Sequence, residues 1–338
     1  MNLLWHEGAL GDLLLSRLAI AALGGEETLL LARSEARVLL REAGLVHEVA
    51  STDWGPGWDR SPPDTVYLFG ESPFAREILS LRFPKSFLRI IRTRPRRRVH
   101  VALFQWLEVG EAPFALERAG VLRPPGFSRS PECLLVHPGS GGRSKCYPVG
   151  DLKEALRRLG EIPLRVILGP AEEDLAGEFS GFSVIRSRTL DEALYALSRA
   201  AAFLGNDSGL THLAAALGVP VLALFGPTDP VLWAPFGERV RVLYPFTRLS
   251  PQALTREIGS FLNTIPMFRR REGCPPGGRP PEGVPKPPEA GAEGPWGAGE
   301  PGRTGTADKT AKPDSLEGPA GLRFLGVEAV EVAEAGPD

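Results

Sequence analysis

The sequence predicts an α/β protein of two facing Rossmann-like domains, followed by a Pro/Gly-rich C-terminal tail expected to be disordered. Three observations carry this reading. Short apolar runs alternate with segments whose apolar residues recur every three or four positions, the pattern of parallel β–α units. Glycine-rich turns follow apolar runs at Glu7–Asp12, His137–Gly142 and Gly205–Gly209, where a strand hands over to a helix. The length of 338 residues suits about two domains of roughly 150 residues each. Between them Arg123–Pro131, with Pro124, Pro125 and Pro131, reads as a stiff linker. The expected division is 1–122, linker 123–131, second domain 132–265 and tail 266–338.

In the first domain Asn2–His6 is a strand, and Leu13, Leu14, Arg17, Leu18 and Ala21 mark the helix after the turn. Gly8 and Gly11 do not supply the GxGxxG spacing, which argues against a nicotinamide enzyme. Asp12, at the helix start, reads by itself as a cap. Thr28–Leu31 is the next strand, Ser34 caps a helix that Gly44 stops, and Val46–Ala50 is a third strand. Ser51–Asp64 is a loop whose Trp54 and Trp58 either pack or form an exposed platform for an acceptor. Thr65–Phe69 is a strand, Ser72-Pro73 opens a helix to Leu81, and Phe87–Ile91 is a strand. Arg92, Arg94, Arg96, Arg97 and Arg98 form the most basic run. It is either a solvated face or a patch for an anionic acceptor or an acidic membrane leaflet, where each basic residue is worth roughly 1 kcal/mol. A helix is expected over His100–Ala119, with Leu103, Leu107, Phe114 and Leu116 inward.

The second domain restarts with the strand Cys133–Val136 and the turn His137-Pro138-Gly139-Ser140-Gly141-Gly142. Glycines there expose backbone N–H groups as an anion nest, and Lys145 adds a full charge beside them. Pro148 opens a helix to Leu159. Leu164–Leu168 is a strand whose end carries Glu172 and Glu173, which by themselves read as first-turn helix acids. Val184–Ile185 is a short strand, and Thr189 caps a helix through Arg199. Ala200–Leu204 reads as a buried strand leading into Gly205-Asn206-Asp207-Ser208-Gly209-Leu210-Thr211-His212. Asp207 or Ser208 caps that helix, and Gly209 lets a ligand approach the backbone. The free N–H groups of the helix start suit a phosphate. His212, one turn inside, is either a ligand contact or a satisfied core histidine. Val221–Phe225 and Arg239–Leu243 are strands, and Ser250-Pro251 starts a helix to Leu262. Beyond Pro266 proline and glycine dominate, which cannot offset the cost of ordering, although Leu322–Val332 suits a short strand or helix.

The stretch Asn206–Gly237 resembles the signature region of glycosyltransferase family 9, the ADP-heptose:lipopolysaccharide heptosyltransferase-like enzymes of GT-B fold. Gly8-Ala9-Leu10-Gly11-Asp12 is similar to the family's N-terminal motif, and the His-Pro-Gly turn with Lys145 to its second motif. Cys146-Tyr147 stands where the family more often has Arg-Trp. The resemblance implies an inverting sugar transfer, with Asp12 as catalytic base and Gly8 and Gly11 on the acceptor side. It implies that Lys145, Gly139, Ser140, Gly141 and the helix start Asp207, Ser208, Gly209, Leu210, Thr211 and His212 hold the diphosphate of a nucleotide-sugar donor. A ribose-binding carboxylate is implied at Glu172, with Glu173 close behind. The implied donor is ADP-heptose, with no cofactor and no metal, and the implied acceptor is a lipopolysaccharide-core or related glycan.

Composition bounds the rest. A formal charge of −2 argues against a general nucleic-acid binder. Cys133, Cys146 and Cys274 lack ligand spacing, which fits a reducing compartment without structural zinc. There is no uninterrupted apolar run of membrane-spanning length and no basic leader, so the expectation is a cytoplasmic monomer, peripheral to the inner membrane if the arginine run is used. Two other function classes share the donor site: a GT-B-type nucleotide-sugar epimerase and a non-catalytic nucleotide-sugar-binding protein.

Overall fold

Parallel strands require crossover connections, and the right-handed crossover decides which sheet face each helix covers. The structure, a computed structural model, describes residues 1–25, 27–52, 60–110, 112, 114–268, 325 and 327–331. The first lobe holds β1 (Asn2–His6), α1 (Leu10–Leu23), β2 (Thr28–Ala32), α2 (Arg37–Glu42), β3 (Glu48–Ala50), β4 (Thr65–Phe69), α3 (Pro73–Arg82), β5 (Phe87–Ile91), α4 (Val101–Val109) and α5 (Phe114–Gly120). Its five parallel strands run in the order β3-β2-β1-β4-β5. The chain moves one way from β1 and then resumes on its other side, so α1 and α2 pack on one face and α3 on the opposite one. The single helix expected over His100–Ala119 is two, because Gly110 takes φ 103° and closes α4 with a left-handed cap. Trp54 and Trp58 lie outside the described residues.

The second lobe holds β6 (Cys133–His137), α6 (Val149–Arg157), β7 (Leu164–Leu168), β8 (Ser183–Arg186), α7 (Leu190–Ser198), β9 (Ala200–Asn206), α8 (Gly209–Ala216), β10 (Val221–Leu224), α9 (Pro230–Trp233), β11 (Val240–Tyr244), α10 (Pro251–Asn263) and β12 (Val327–Glu331). Seven parallel strands run β12-β11-β10-β9-β6-β7-β8. The segment expected as strand or helix over Leu322–Val332 supplies β12, which extends the sheet beside β11 from Val240↔Val327 to Tyr244↔Glu331. The remainder of the expected tail, apart from the short turn Pro266–Phe268 and residue 325, lies outside the described residues. Among the described residues no helix is long and apolar enough to cross a membrane.

Helix α1 joins the lobes. Every residue from Leu13 to Ala21 is buried, including Ser16 and Arg17, as expected of a helix with neighbours on all sides. It packs on its own sheet, on α4 and α5, and on α8 of the second lobe, so a single apolar core runs through both lobes. Arg17 is fully buried, and among the described residues no carboxylate pairs with it. Its guanidinium donates instead to the carbonyls of Leu14 (2.7 Å), Ala119 (2.7 Å), Gly120 (3.2 Å) and, across the lobes, Phe236. Ala119 and Gly120 end α5, where the helix dipole is negative, which suits a cation. The guanidinium also lies 4.0 Å over the Phe236 ring. Burial pushes the pKa of Arg17 down to about 9.

A second tie is His100, the N-cap of α4. Its Nδ1 accepts the Ala102 N–H at 3.2 Å, which leaves Nε2 to donate to the Ala234 carbonyl of the second lobe at 2.8 Å. A third is Arg98, whose Nε donates to Asp229 at 2.8 Å.

Arg17→Met is expected to lower the unfolding free energy by about 2–4 kcal/mol, since three buried carbonyls and the part-buried carbonyl of Gly120 lose their donor. Urea unfolding checks this, and unchanged stability would contradict it. His6 and His100 are both depressed from the ordinary 6.5 to about 4, foremost by burial. The folded state therefore favours their neutral forms, and unfolding takes up protons. Stability should be full above pH 6.5 and fall toward pH 4, on the order of 2–3 kcal/mol per histidine. In His100→Asn, unfolding titrations across that range should show a drop smaller by about one histidine's share.

Candidate functional site

Open parallel sheets bind ligands beyond the carboxyl ends of their strands, where the strand order reverses. In the second lobe that point lies between β6 and β9, which pair directly with His137 opposite Gly205. The turn after β6 and the helix start after β9 therefore emerge side by side. In the first lobe the reversal lies between β1 and β4, and the turn Glu7–Ala9 emerges there.

Asn206 clamps the two loops of the second lobe. Its amide donates to the carbonyls of Pro138 (2.7 Å) and Gly139 (3.4 Å), and its Oδ1 accepts the Tyr147 N–H at 2.9 Å. Ser140 adds a bond from its Oγ to the Asp207 carbonyl. Ser208 is the N-cap of α8, accepting the Thr211 N–H at 3.3 Å, while the Thr211 hydroxyl donates to the Asn206 carbonyl. The Ser208 Oγ also lies 3.3 Å from Nδ1 of His137. Gly209 and Leu210 are part-exposed in the first helical turn, so this helix start is capped without being sealed.

Lys145 sits on a short 3-10 turn, Arg143–Lys145, and its Nζ reaches Asp207 Oδ2 at 2.7 Å. The other oxygen of Asp207 lies 3.6 Å from His212 Nε2. Burial pushes the Asp207 carboxyl up, but His212 and Lys145 outweigh it and hold its pKa at about 2; by geometry Lys145 makes the stronger contact. A carboxylate at a helix start would repel an anionic ligand, and the ammonium of Lys145 cancels that charge. The Lys145 side chain remains 39% exposed, enough to meet a ligand without leaving its turn.

Glu172 is buried. Its Oε2 accepts the Gly169 N–H at 3.0 Å and lies 3.5 Å from His137 Nε2. The contact with His137 is the main cause of a pKa held below the usual carboxylate range. Gly139 is pressed against this carboxyl, since a Cβ there would fall 2.1 Å from Glu172 Oε1. Gly141, in contrast, faces open space. Glu173 is exposed and pairs with Arg186 at 3.4 Å. Tyr147 is buried, with its hydroxyl donating to the Leu249 carbonyl at 2.9 Å, so it fills its site completely.

The two lobes meet helix start to helix start. A Cβ on Gly11 would lie 3.1 Å from the His212 ring, and one on Gly209 would lie 3.1 Å from Leu10. His212 Nδ1 is buried and has no hydrogen-bond partner among the described residues. Asp12 lies beside this junction, exposed, with Oδ2 accepting the Ala9 N–H at 3.2 Å. Gly8 gives it room, as a Cβ there would stand 2.6 Å from that of Asp12. Beneath the turn, His6 accepts the Gly8 N–H on Nδ1 (3.2 Å), and its Nε2 lies 3.0 Å from the Ser16 Oγ.

Of the arginine run, Arg92 is bound to Glu108 and Arg98 to Asp229, so those two arginines serve the fold as well as the surface. Asn206, His137, His6 and Arg17 carry roles at or beneath the site that depend on partners distant in sequence. The signal for Asn206 was its place at the strand end, where asparagine favours a turn.

Residues 110–254 match glycosyltransferase family 9 (heptosyltransferase). Lipopolysaccharide heptosyltransferase 3 of Escherichia coli K12 is 30% identical over 118 residues, covering 32% of this chain and 34% of that protein. Lipopolysaccharide heptosyltransferase 1 of Pseudomonas aeruginosa is 28% identical over 212 residues, covering 60% and 56%. The chain thus spans between about a third and just over half of the length of these two curated relatives. Among solved structures, E. coli heptosyltransferase WaaC with ADP superposes with a TM-score of 0.55 at 17% identity, covering 77% of this chain and 100% of that one. E. coli ADP-heptose lps heptosyltransferase II gives 0.59 at 18%, covering 78% and 99%. At such identities the likeness is one of fold. Over residues 110–254 the chain is thus similar to glycosyltransferase family 9 (heptosyltransferase), and its two parallel-sheet lobes have the GT-B fold of the solved heptosyltransferases.

Proposed function

We propose that the chain is an inverting glycosyltransferase that moves a sugar, heptose from ADP-heptose, to a hydroxyl of a lipopolysaccharide-core or related glycan. The observation that carries this reading is the clamp at the β6/β9 reversal. There Asn206 and Ser140 fasten a glycine turn to an open helix start, with Lys145 poised alongside. The relatives named above are heptosyltransferases, and one of the solved structures holds ADP.

In this mechanism the α8 start and the turn 138–142 hold the diphosphate, and Glu172, fixed by His137, or its neighbour Glu173 accepts from the ribose. Asp12 removes the proton of the acceptor hydroxyl. That oxygen attacks the anomeric carbon from the face opposite the diphosphate, the bond to the leaving oxygen breaks, and configuration inverts. The electron pair departs onto a phosphate oxygen, where Lys145 and the amide groups of α8 are already aimed. Donors fixed before the reaction stabilise developing charge without reorganising. Asp12 is exposed, the turn before it is tied by the Gly8 N–H to His6, and Gly8 leaves its side chain room.

Asp12→Asn keeps an oxygen for the Ala9 amide, so the turn should survive while kcat falls by about 10²–10⁴ and nucleotide affinity stays nearly constant. Loss of both together would make Asp12 structural. Lys145→Ala should weaken ADP binding by about 10–100-fold in calorimetry, as for a lost charge-assisted bond. An unchanged affinity would remove it from the site. ADP release that requires a glycan acceptor supports transfer. Conversion of the nucleotide sugar alone would indicate an epimerase, and binding without release a non-catalytic receptor.

A further inference from the structure

A base at the end of an exposed, glycine-containing turn has to be held still by something beneath it. Ala9 and Asp12 are exposed, but His6, the last residue of β1, and Ser16, in the second turn of α1, are buried under them. The His6 ring is backed by Phe69, which stands opposite it on β4 with ring centroids 5.6 Å apart.

Every proton of this cluster can be placed. A backbone N–H only donates, so the Gly8 amide fixes Nδ1 of His6 as an acceptor at 3.2 Å. The neutral ring then carries its proton on Nε2, which donates to the Ser16 Oγ at 3.0 Å. The Ser16 hydroxyl in turn donates to the Asp12 carbonyl at 2.9 Å. Burial lowers the pKa of His6 to about 4, which keeps the ring in the neutral form that can accept from Gly8. A serine that bonds back one turn is ordinary in a helix; here His6 ties it to the turn that precedes the helix. Gly8 fills the gap between ring and carboxylate side chain, since a Cβ there would stand 2.7 Å from His6 Cε1 and 2.6 Å from Asp12 Cβ. From above, Asp12 Oδ2 accepts the Ala9 N–H at 3.2 Å. Turn and helix start are thereby locked to each other over a buried imidazole.

We propose that His6 and Ser16 are positioning residues for Asp12, acting through the Gly8 amide and the Asp12 carbonyl to set where its carboxylate meets the acceptor hydroxyl. This rests on Asp12 being the base of the reaction proposed above. Neither side chain touches substrate; each acts by holding the backbone that carries the base, where a shift of about 1 Å can cost about 10²-fold in rate.

Steady-state transfer from ADP-heptose to a lipopolysaccharide-core acceptor tests this. His6→Leu should lower kcat by about 10–100-fold and Ser16→Ala by about five- to tenfold, with KM for ADP-heptose and the affinity for ADP unchanged. Ser16→Ala removes a single buried oxygen and carries the test where His6→Leu does not fold. His6→Asn, whose Oδ1 can take the place of Nδ1 and accept the Gly8 N–H, should recover part of the kcat lost in His6→Leu. Added to Asp12→Asn, His6→Leu should cost nothing further, because the group it positions is already inert. Without any substrate, amide exchange over residues 7–12 should quicken by about fivefold or more in His6→Leu. Unchanged kcat in Ser16→Ala beside a crippled Asp12→Asn would overturn this proposal alone. So would equal losses with and without Asp12, unchanged exchange, or ADP affinity falling as far as kcat, which would make the pair structural only. Full activity in Asp12→Asn would overturn the reading of Asp12 as the base, and this proposal with it.

Discussion

The burial of α1 on every side is the constraint on which the remaining structure depends. One helix serves as the floor of the first lobe, the partner of α8 and the carrier of Asp12. Its position is fixed by apolar burial, at about 1.5–3 kcal/mol for each large side chain, and by the four carbonyls that receive Arg17. Because α1 cannot shift without disturbing both lobes, Gly11 and Gly209 can stay in near-contact with the opposite helix. Two helix starts then stand together, each with unpaired backbone donors, and the local field favours an anion.

That field has to be managed when no ligand is present. Asp207 at the head of α8 partly compensates it, and Lys145 in turn compensates Asp207. In the proposed binding mode an arriving diphosphate would displace no buried charge and would meet the ammonium of Lys145, held by Asp207. Glu172 is held in the same way by His137 and the Gly169 amide, so a carboxylate in a buried place keeps its charge. The two loops of the second lobe are tied by hydrogen bonds from Asn206 and Ser140, while Asp12 and Lys145 remain solvent-accessible.

Much of this was legible in the sequence, and for a physical reason. Strand-turn-helix units are local, so periodicity, N-caps such as Ser72, Thr189 and Ser208, and glycine turns declare themselves within a dozen residues. The helix break at Gly110 was missed because apolar spacing continues across it. Non-local roles were harder to read. Arg17 falls within the helical pattern, but its role shows only when α5 and Phe236 close over it, and Asn206 becomes a clamp only when β6 and β9 lie side by side. The ion pairs of Arg92 and Arg98 are likewise invisible before the chain folds, since Glu108 and Asp229 come from other elements.

The central claim is that the β6/β9 reversal, with the start of α8 and Lys145, is where the diphosphate of a nucleotide is held. A crystal structure of the full chain with ADP tests it most directly. Both phosphates are expected within hydrogen-bond distance of backbone N–H groups at the start of α8 or in the turn 138–142, with Lys145 Nζ on a phosphate oxygen. ADP bound in the first lobe, or with its phosphates turned away from α8 and Lys145, would contradict it.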